Sequence, residues 1–216
     1  YFCRRVQPKT MEILLATFSA LFTVVNPFGA MPVFLTLTHD DTPASRNEQA
    51  LRACIYMALI LSVFFLAGQY VLNFFGIRLS DIRIAGGLMI MKAGFELLTS
   101  KAHRGKKVSK GVLREGLQKE DISFTPLAMP MLSGPGSIAV SIGMYSSTLS
   151  YTGIGLTILA IILVAATAFT VLVFSHQLVN YMGKAGLSAL SRIMGFIVLS
   201  IGVNFISTGI ISLLQK

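Results

Sequence analysis

Along this chain, apolar residues come in long runs, and polar or charged residues collect between them. None of the runs shows the strict two-residue alternation of a barrel strand, so each reads as a helix. About 20 apolar residues cross a hydrocarbon core of about 30 Å, and six runs approach or reach that length. Span one extends from Ile13 to about Leu37 and is interrupted by Asn26-Pro27-Phe28-Gly29 and by Pro32. Span two, from about Leu51 to Phe75, follows Ser45 and Glu48, whose capping-box spacing predicts a helix start. Span three, Ile84 to Leu98, is short and is extended by the snorkelling ends Arg83 and Lys101. Span four, about Ile122 to Met144, contains Pro126, Pro130 and Gly134-Pro135-Gly136. Span five covers about Ile154 to Val179, and span six Ile193 to Leu214. The organisation expected is an extension at 1–10, a first three-helix repeat at 11–100, a loop at 101–121 and a second three-helix repeat at 122–216.

Composition agrees with this class. Hydrophobic residues make up 54% of the 216 residues and charged residues 12%, against about 25% charged in a soluble domain. Too few charges remain to cover a solvated surface, so a soluble enzyme is excluded, as are disorder and a disulfide scaffold. Cys3 and Cys54 suggest neither a bridge nor a metal site, and no cofactor is expected. The net charge of +9 is concentrated: seven of 18 basic residues lie between Lys101 and Lys119. A basic loop between apolar spans acts as a topology determinant, so no nucleic-acid partner is expected. With both termini outside, the cytoplasmic loops hold eleven basic residues (the seven with Arg46, Arg52, Lys184 and Arg192). The opposite side holds Arg78, Arg83 and Lys216, joined by Arg4, Arg5 and Lys9 if the tail is native. The positive-inside bias therefore predicts outside termini and a cytoplasmic 101–121 loop. Tyr1 precedes Met11, the natural start, and the apolar run after Arg5 lacks a small-x-small cleavage site, so it reads as a span and not a signal peptide.

The two halves resemble each other. Pro27 and Pro135 lie 108 residues apart, and Arg83-Ile84-Ala85-Gly86 is followed 109 residues later by Arg192-Ile193-Met194-Gly195. Three spans per half force the halves to enter the membrane from opposite sides, which is the inverted repeat of secondary transporters. Spans one and four are expected to break at their Pro/Gly motifs, because proline removes a donor and clashes with the preceding turn. Unpaired backbone at membrane depth is tolerated only when buried in protein or lining a wet cavity. The half-helices after the breaks would present free N–H groups and positive dipole ends. A small neutral or zwitterionic solute would bind between Asn26, Pro27, Phe28, Gly29 and Pro32 on one side and Ser133, Gly134, Pro135, Gly136, Ser137 and Ile138 on the other. The bland alternative is a pair of kinked helices with glycines for close packing.

Val25-Asn26-Pro27-Phe28-Gly29 with Pro32, Arg83-Ile84-Ala85-Gly86-Gly87, Pro126-Leu127-Ala128-Met129-Pro130 leading into Gly134-Pro135-Gly136, and Arg192-Ile193-Met194-Gly195 resemble the MarC family. The resemblance covers Met11 to Lys216 and implies a bacterial or archaeal inner-membrane, multipass protein of six spans, related to small exporters. For some relatives it implies transport of small neutral amino acids. The tail before Met11 departs from the pattern.

Ionisable residues inside a span are functional candidates by default. Lys92 and Glu96 stand one helical turn apart and either pair structurally or relay protons or substrate. Arg83 and Arg192 either anchor helix starts or pair with carbonyls released at the breaks, and Asn204 suits an interhelical hydrogen bond. These five are the coupling or gating candidates. An intramembrane protease would need paired histidines, paired aspartates or a serine–histidine couple, and the spans hold one histidine, His176. No enzyme is expected. The pattern as a whole is expected to be a transporter in a lipid bilayer, compatible with a homo-oligomer. The alternative is a non-transporting scaffold or partner subunit.

Overall fold

The computed structural model describes residues 10–99, 121–145 and 150–214, with Pro130, Lys184 and Leu187 described by backbone alone. All but Asp121 of the expected 101–121 loop, and residues 1–9 of the expected extension, lie outside the described residues. The described elements are helical. The first apolar run forms α1 (Thr10–Val25) and α2 (Pro27–Leu37), divided at Asn26, and is followed by α3 (Pro43–Phe75) and α4 (Leu79–Thr99). The second half holds α5 (Ser123–Leu132), α6 (Pro135–Tyr145), α7 (Tyr151–Val173) and α8 (Ser175–Leu214).

Among the described residues, four stretches are long and apolar enough to cross a membrane: Thr10–Leu37, Pro43–Phe75, Tyr151–Val173 and Ser188–Leu214. The two other expected spans differ for separate reasons. α4 carries Asp81, Arg83, Lys92 and Glu96 within its 21 residues. The fourth run is divided into pieces of 10 and 11 residues, each shorter than a bilayer.

Local chemistry moves several expected boundaries. Thr42, not Ser45, starts α3: its hydroxyl oxygen accepts the Ser45 N–H at 3.3 Å, and Pro43 fills the first helical position, where no N–H is needed. Gly76 ends that helix at φ 67°, a left-handed cap that glycine adopts without steric cost. α4 begins at Leu79, so Arg83 lies a full turn inside it, and Asp81 occupies the first turn, where a negative charge suits the dipole. α8 begins at Ser175 and bends at Gly183 (φ 65°, ψ 178°), which leaves Arg192 in a helix interior. Neither arginine therefore anchors a helix start.

α4 and α8 run antiparallel along a glycine seam. A Cβ at Gly94 would lie 2.7 Å from the Leu199 nitrogen and 2.9 Å from the Gly195 oxygen; one at Gly202, 2.9 Å from the Gly87 oxygen; one at Gly209, 3.0 Å from the Ser80 oxygen. Small residues let helix backbones approach where apolar lipid provides no hydrophobic drive for association. Elsewhere α1 packs on α7, α2 on α7 and α8, α3 on α5, α6 and α7, and α4 on α6. Leu21, Phe34, Met57, Leu61, Phe65, Leu127 and Ile161 are fully enclosed at the centre, while Leu59, Val63, Ile162 and Val203 face outward. Helices that are apolar on every side suit a bilayer.

At one end, Asp121 ties α3 to the start of α5. One carboxylate oxygen accepts the Ser123 N–H (2.8 Å) and hydroxyl, and the other accepts from Arg52 Nη1 at 3.2 Å. The Ser123 donors foremost, and Arg52 after them, hold the Asp121 carboxyl below the usual carboxylate range.

Gly94→Ala or Gly202→Ala forces two backbones apart, an overpacking cost of about 1–3 kcal/mol. Gly155→Ala on α7 meets nothing within 4 Å and should gain about 0.5–1 kcal/mol. Thermal unfolding in detergent, followed by circular dichroism, should lower the midpoint for the first two and raise it for the third. For Asp121, a depressed folded pKa means a stabilisation present above the ordinary value of about 4 and lost as pH falls through the lower folded value. The stability gap between wild type and Asp121→Asn should therefore narrow below about pH 4.

Candidate functional site

The first break satisfies itself. Pro27 disfavours right-handed helix at the residue before it, and Asn26 turns left-handed (φ 46°, ψ 68°), a region that asparagine tolerates better than most residues. Its N–H still closes α1 onto the Phe22 carbonyl at 2.9 Å. Its carbonyl accepts from Gly29 (3.0 Å) and Ala30 (3.3 Å), and its Oδ1 accepts from the Gly29 N–H at 3.2 Å. A Cβ on Gly29 would lie 2.7 Å from Asn26 Nδ2, so the cap requires glycine there. Pro27 has no N–H to satisfy, which leaves the Phe28 N–H outside the described hydrogen bonds. Pro32 also deprives the Phe28 carbonyl of its usual helical donor. The Phe28 ring meets Phe22 edge-on at 6.1 Å.

The second break is built differently. Thr125 (φ −124°, ψ 122°) and Met129 (φ −125°, ψ 123°) are extended, as residues before Pro126 and Pro130 should be. The hydrogen bonds skip a residue to pass them: Leu127 N–H reaches the Ile122 carbonyl (3.1 Å) and Ser133 N–H the Ala128 carbonyl (2.8 Å), which winds α5 as a π-helix. After Ser133 the chain restarts as α6 at Pro135, and the Ile138 N–H returns to the Gly134 carbonyl at 3.1 Å. The Ser137 hydroxyl donates to two carbonyls at the break, Gly134 at 2.9 Å and Leu132 at 3.1 Å. Where the first break has Asn26, the second has Gly134, which has no side chain to fold over the helix end. Among the described hydrogen bonds none engages the N–H of Gly136 or Ser137.

Two chambers flank this second break. The smaller, about 190 Å3, is lined by Gly134, Pro135, Gly136 and Ser137 together with Lys92 and Glu96 of α4. The larger, about 470 Å3, is lined by Met89 and Gly86 of α4, by Met129, and by Ser133, Pro135 and Ile138. Ser133 is buried and its hydroxyl has no hydrogen-bond partner, an arrangement that costs about 1–3 kcal/mol. α4 is pressed close: a Cβ on Gly136 would lie 2.6 Å from Ile90 Cγ1 and 3.4 Å from Val24 Cγ1, and one on Gly86 would lie 2.2 Å from the Ala139 Cβ. Val24 stands two residues before Asn26, so the two breaks are neighbours.

The sequence-predicted residues are distributed unevenly around this geometry. Ser133 through Ile138, Lys92 and Glu96 all line a chamber, whereas Asn26, Pro27, Phe28, Gly29 and Pro32 line neither. The N–H groups expected from Gly29 and Ile138 are taken by Asn26 and Gly134. Lys92 and Glu96 form no ion pair with each other, so the expected structural pair is absent; both are exposed, and both line the small chamber. Arg83 is half-buried near Gly143, and Arg192 is exposed. Among the described residues neither joins an ion pair, and neither lines either chamber. Asn204 is exposed on α8, where its carbonyl accepts from Thr208 at 2.8 Å and no interhelical bond forms. Sequence reasoning did not single out Val24, Met89 and Ile90. The glycine pair Gly86-Gly87 was a signal for them, since small residues mark a close helix approach. Among the described residues no three histidines, cysteines or carboxylates gather as a metal site.

A family model described as "MarC family integral membrane protein" matches residues 11–214. The chain belongs to the MarC family. It is 35% identical over 204 residues to the UPF0056 inner membrane protein MarC of Citrobacter koseri, covering 90% of this chain and 92% of that one. It is 32% identical over 200 residues to a UPF0056 membrane protein of Methanocaldococcus jannaschii, covering 93% and 97%. The UPF0056 membrane protein YvbG of Bacillus subtilis matches at 32% identity over 202 residues, covering 92% and 94%. MarC proteins thus occur in bacteria and archaea, and their names state a membrane location without a substrate. No solved structure matches the chain.

The self-capping of the first break predicts an order of stabilities. Asn26→Ala loses the cap, about 0.5–2 kcal/mol, and puts at a left-handed position a residue that tolerates it less well than asparagine does. Asn26→Gly also loses the cap but adopts the left-handed conformation without steric cost, so its thermal midpoint in detergent should fall between those of Asn26→Ala and wild type.

Proposed function

We propose that this MarC protein is a secondary transporter or exporter of a small zwitterionic solute such as an amino acid, bound at the second helix break. The observation that carries the reading is the inequality of the two breaks. Asn26 closes the first, while the second leaves the Gly136 and Ser137 N–H groups unclaimed beside Lys92 and Glu96. Free amides at a helix start attract a carboxylate. Lys92 adds a second positive group for that carboxylate, and Glu96 offers a counter-charge for an ammonium. A neutral pair of opposite charges on the solute would thus meet complementary groups without leaving a net charge in the membrane.

The reading includes six spans arranged as two inverted three-helix halves, with both termini outside and the protein in the inner membrane. Three features support it. α2 and α6 are both 11 residues long, and both begin at proline. Exchanging the halves turns the α1–α7 contact into the α5–α3 contact, the α2–α7 contact into the α6–α3 contact, and the α4–α6 contact into the α8–α2 contact. The antiparallel α4–α8 pair maps onto itself. Rocking of the halves about the second break would then alternate access. The chain acts here as a carrier, with no bond-making role assigned to any side chain.

The test is reconstitution in liposomes with a panel of labelled amino acids. Each charge-assisted hydrogen bond is worth about 1.5–3 kcal/mol, so Lys92→Gln and Glu96→Gln should each lower uptake about tenfold or more. Gly134→Asn installs at the second break the cap that Asn26 provides at the first. It should hold or raise the thermal midpoint while suppressing uptake. Equal uptake by wild type and all three variants would remove the site, and uptake of no solute would favour the scaffold reading.

A further inference from the structure

We infer that the larger chamber beside the second break is a subsite for a bulky apolar side chain, so that the carried solute is an amino acid of leucine, methionine or phenylalanine size. The inference rests on the headgroup reading of the smaller chamber given above. It names a bulkier class than the small neutral amino acids that the family resemblance implied.

The walls carry the argument. The larger chamber, about 470 Å3, is lined by Ile82 and Met89 of α4, by Met129, and by Ile138 and Ile142 of α6. These are branched or thioether side chains that solvate hydrocarbon and methionine-like groups well. Its one polar side chain is Ser133, whose buried hydroxyl has no partner within the protein. A buried polar group is ordinarily hydrogen-bonded, so an orphan at the edge of a cavity marks where a ligand atom would supply the bond. Ser133 directly precedes Gly134 and Pro135, which line the small chamber, and Met89 and Pro135 are common to both chambers. A single molecule can therefore place its charged end by Lys92, Glu96 and the α6 amides, hydrogen-bond to Ser133 at the junction, and extend its side chain between the methionines and isoleucines.

The size of the effect follows from area. Burial of one methylene changes affinity about fourfold, so leucine, with three more carbons than alanine, should bind roughly fiftyfold tighter. Serine, close to alanine in size but polar, should bind no better than alanine.

Binding is measured on the full chain in lipid nanodiscs, with radiolabelled leucine displaced by unlabelled leucine, methionine, alanine and serine. The expected result is a leucine-over-alanine preference of tenfold or more. Ala85 is exposed at the chamber wall, and Ala85→Phe fills the space, so the preference should fall close to one. If that variant does not accumulate, Met129→Ala enlarges the chamber instead and should raise the phenylalanine-to-leucine preference. Ser133→Ala should weaken leucine and alanine by the same factor. Alanine and serine displacing the label as well as leucine does would overturn this subsite and leave the headgroup reading standing. A wild-type protein that binds none of these solutes would overturn both.

Discussion

An apolar chain in an apolar solvent has nowhere to discharge an unpaired peptide group, and each proline within a helix creates one. Seven prolines in 216 residues impose that constraint repeatedly, and much of the architecture answers it. At Pro43 and Pro135 the ring occupies a helix's first position, where no donor is needed. At Pro126 and Pro130 the backbone skips to a π pattern. At Pro27 an asparagine folds its own side chain over the gap. At Gly134-Pro135 only Ser137 compensates, and it serves carbonyls, not amides. The proposed binding site lies where that compensation is incomplete.

α4 gives that place its walls. One of its faces meets α8 through Gly87 and Gly94, at distances where any side chain would collide with backbone. Another meets α6 at Gly86 and frames both chambers with Met89. The helix is thus held on two sides by contacts that have no slack, and it carries Lys92 and Glu96 to the small chamber beside the start of α6. Lys92 and Glu96 do not meet each other, and the small chamber that they line with the start of α6 is where the proposed solute would sit.

Much of the fold was legible before any coordinates. Long apolar runs announced membrane helices, and α3 and α7 appear nearly where hydropathy puts them. Asn26-Pro27 and Gly134-Pro135 announced breaks, because proline acts on its own neighbours whatever surrounds it. What misled were features decided by one local contact. Thr42 rather than Ser45 caps α3 because Pro43 fits the first helical position. Arg83 and Arg192 resemble helix starts in the sequence but lie inside helices, because Asp81 and Gly183 set the true turning points.

The chain's pattern alone determined its class, its helical content and the positions of both breaks, since these follow from composition, period and proline stereochemistry within a few residues. Which break remains open was decided only by the tertiary structure. The difference depends on whether a side chain can fold back onto the amides and on what the opposing helix brings within reach. The carriers of that information, Gly86, Met89 and Ile90, stand about forty or more residues from the motif they enclose, a separation that only packing can close and that local sequence rules do not reach.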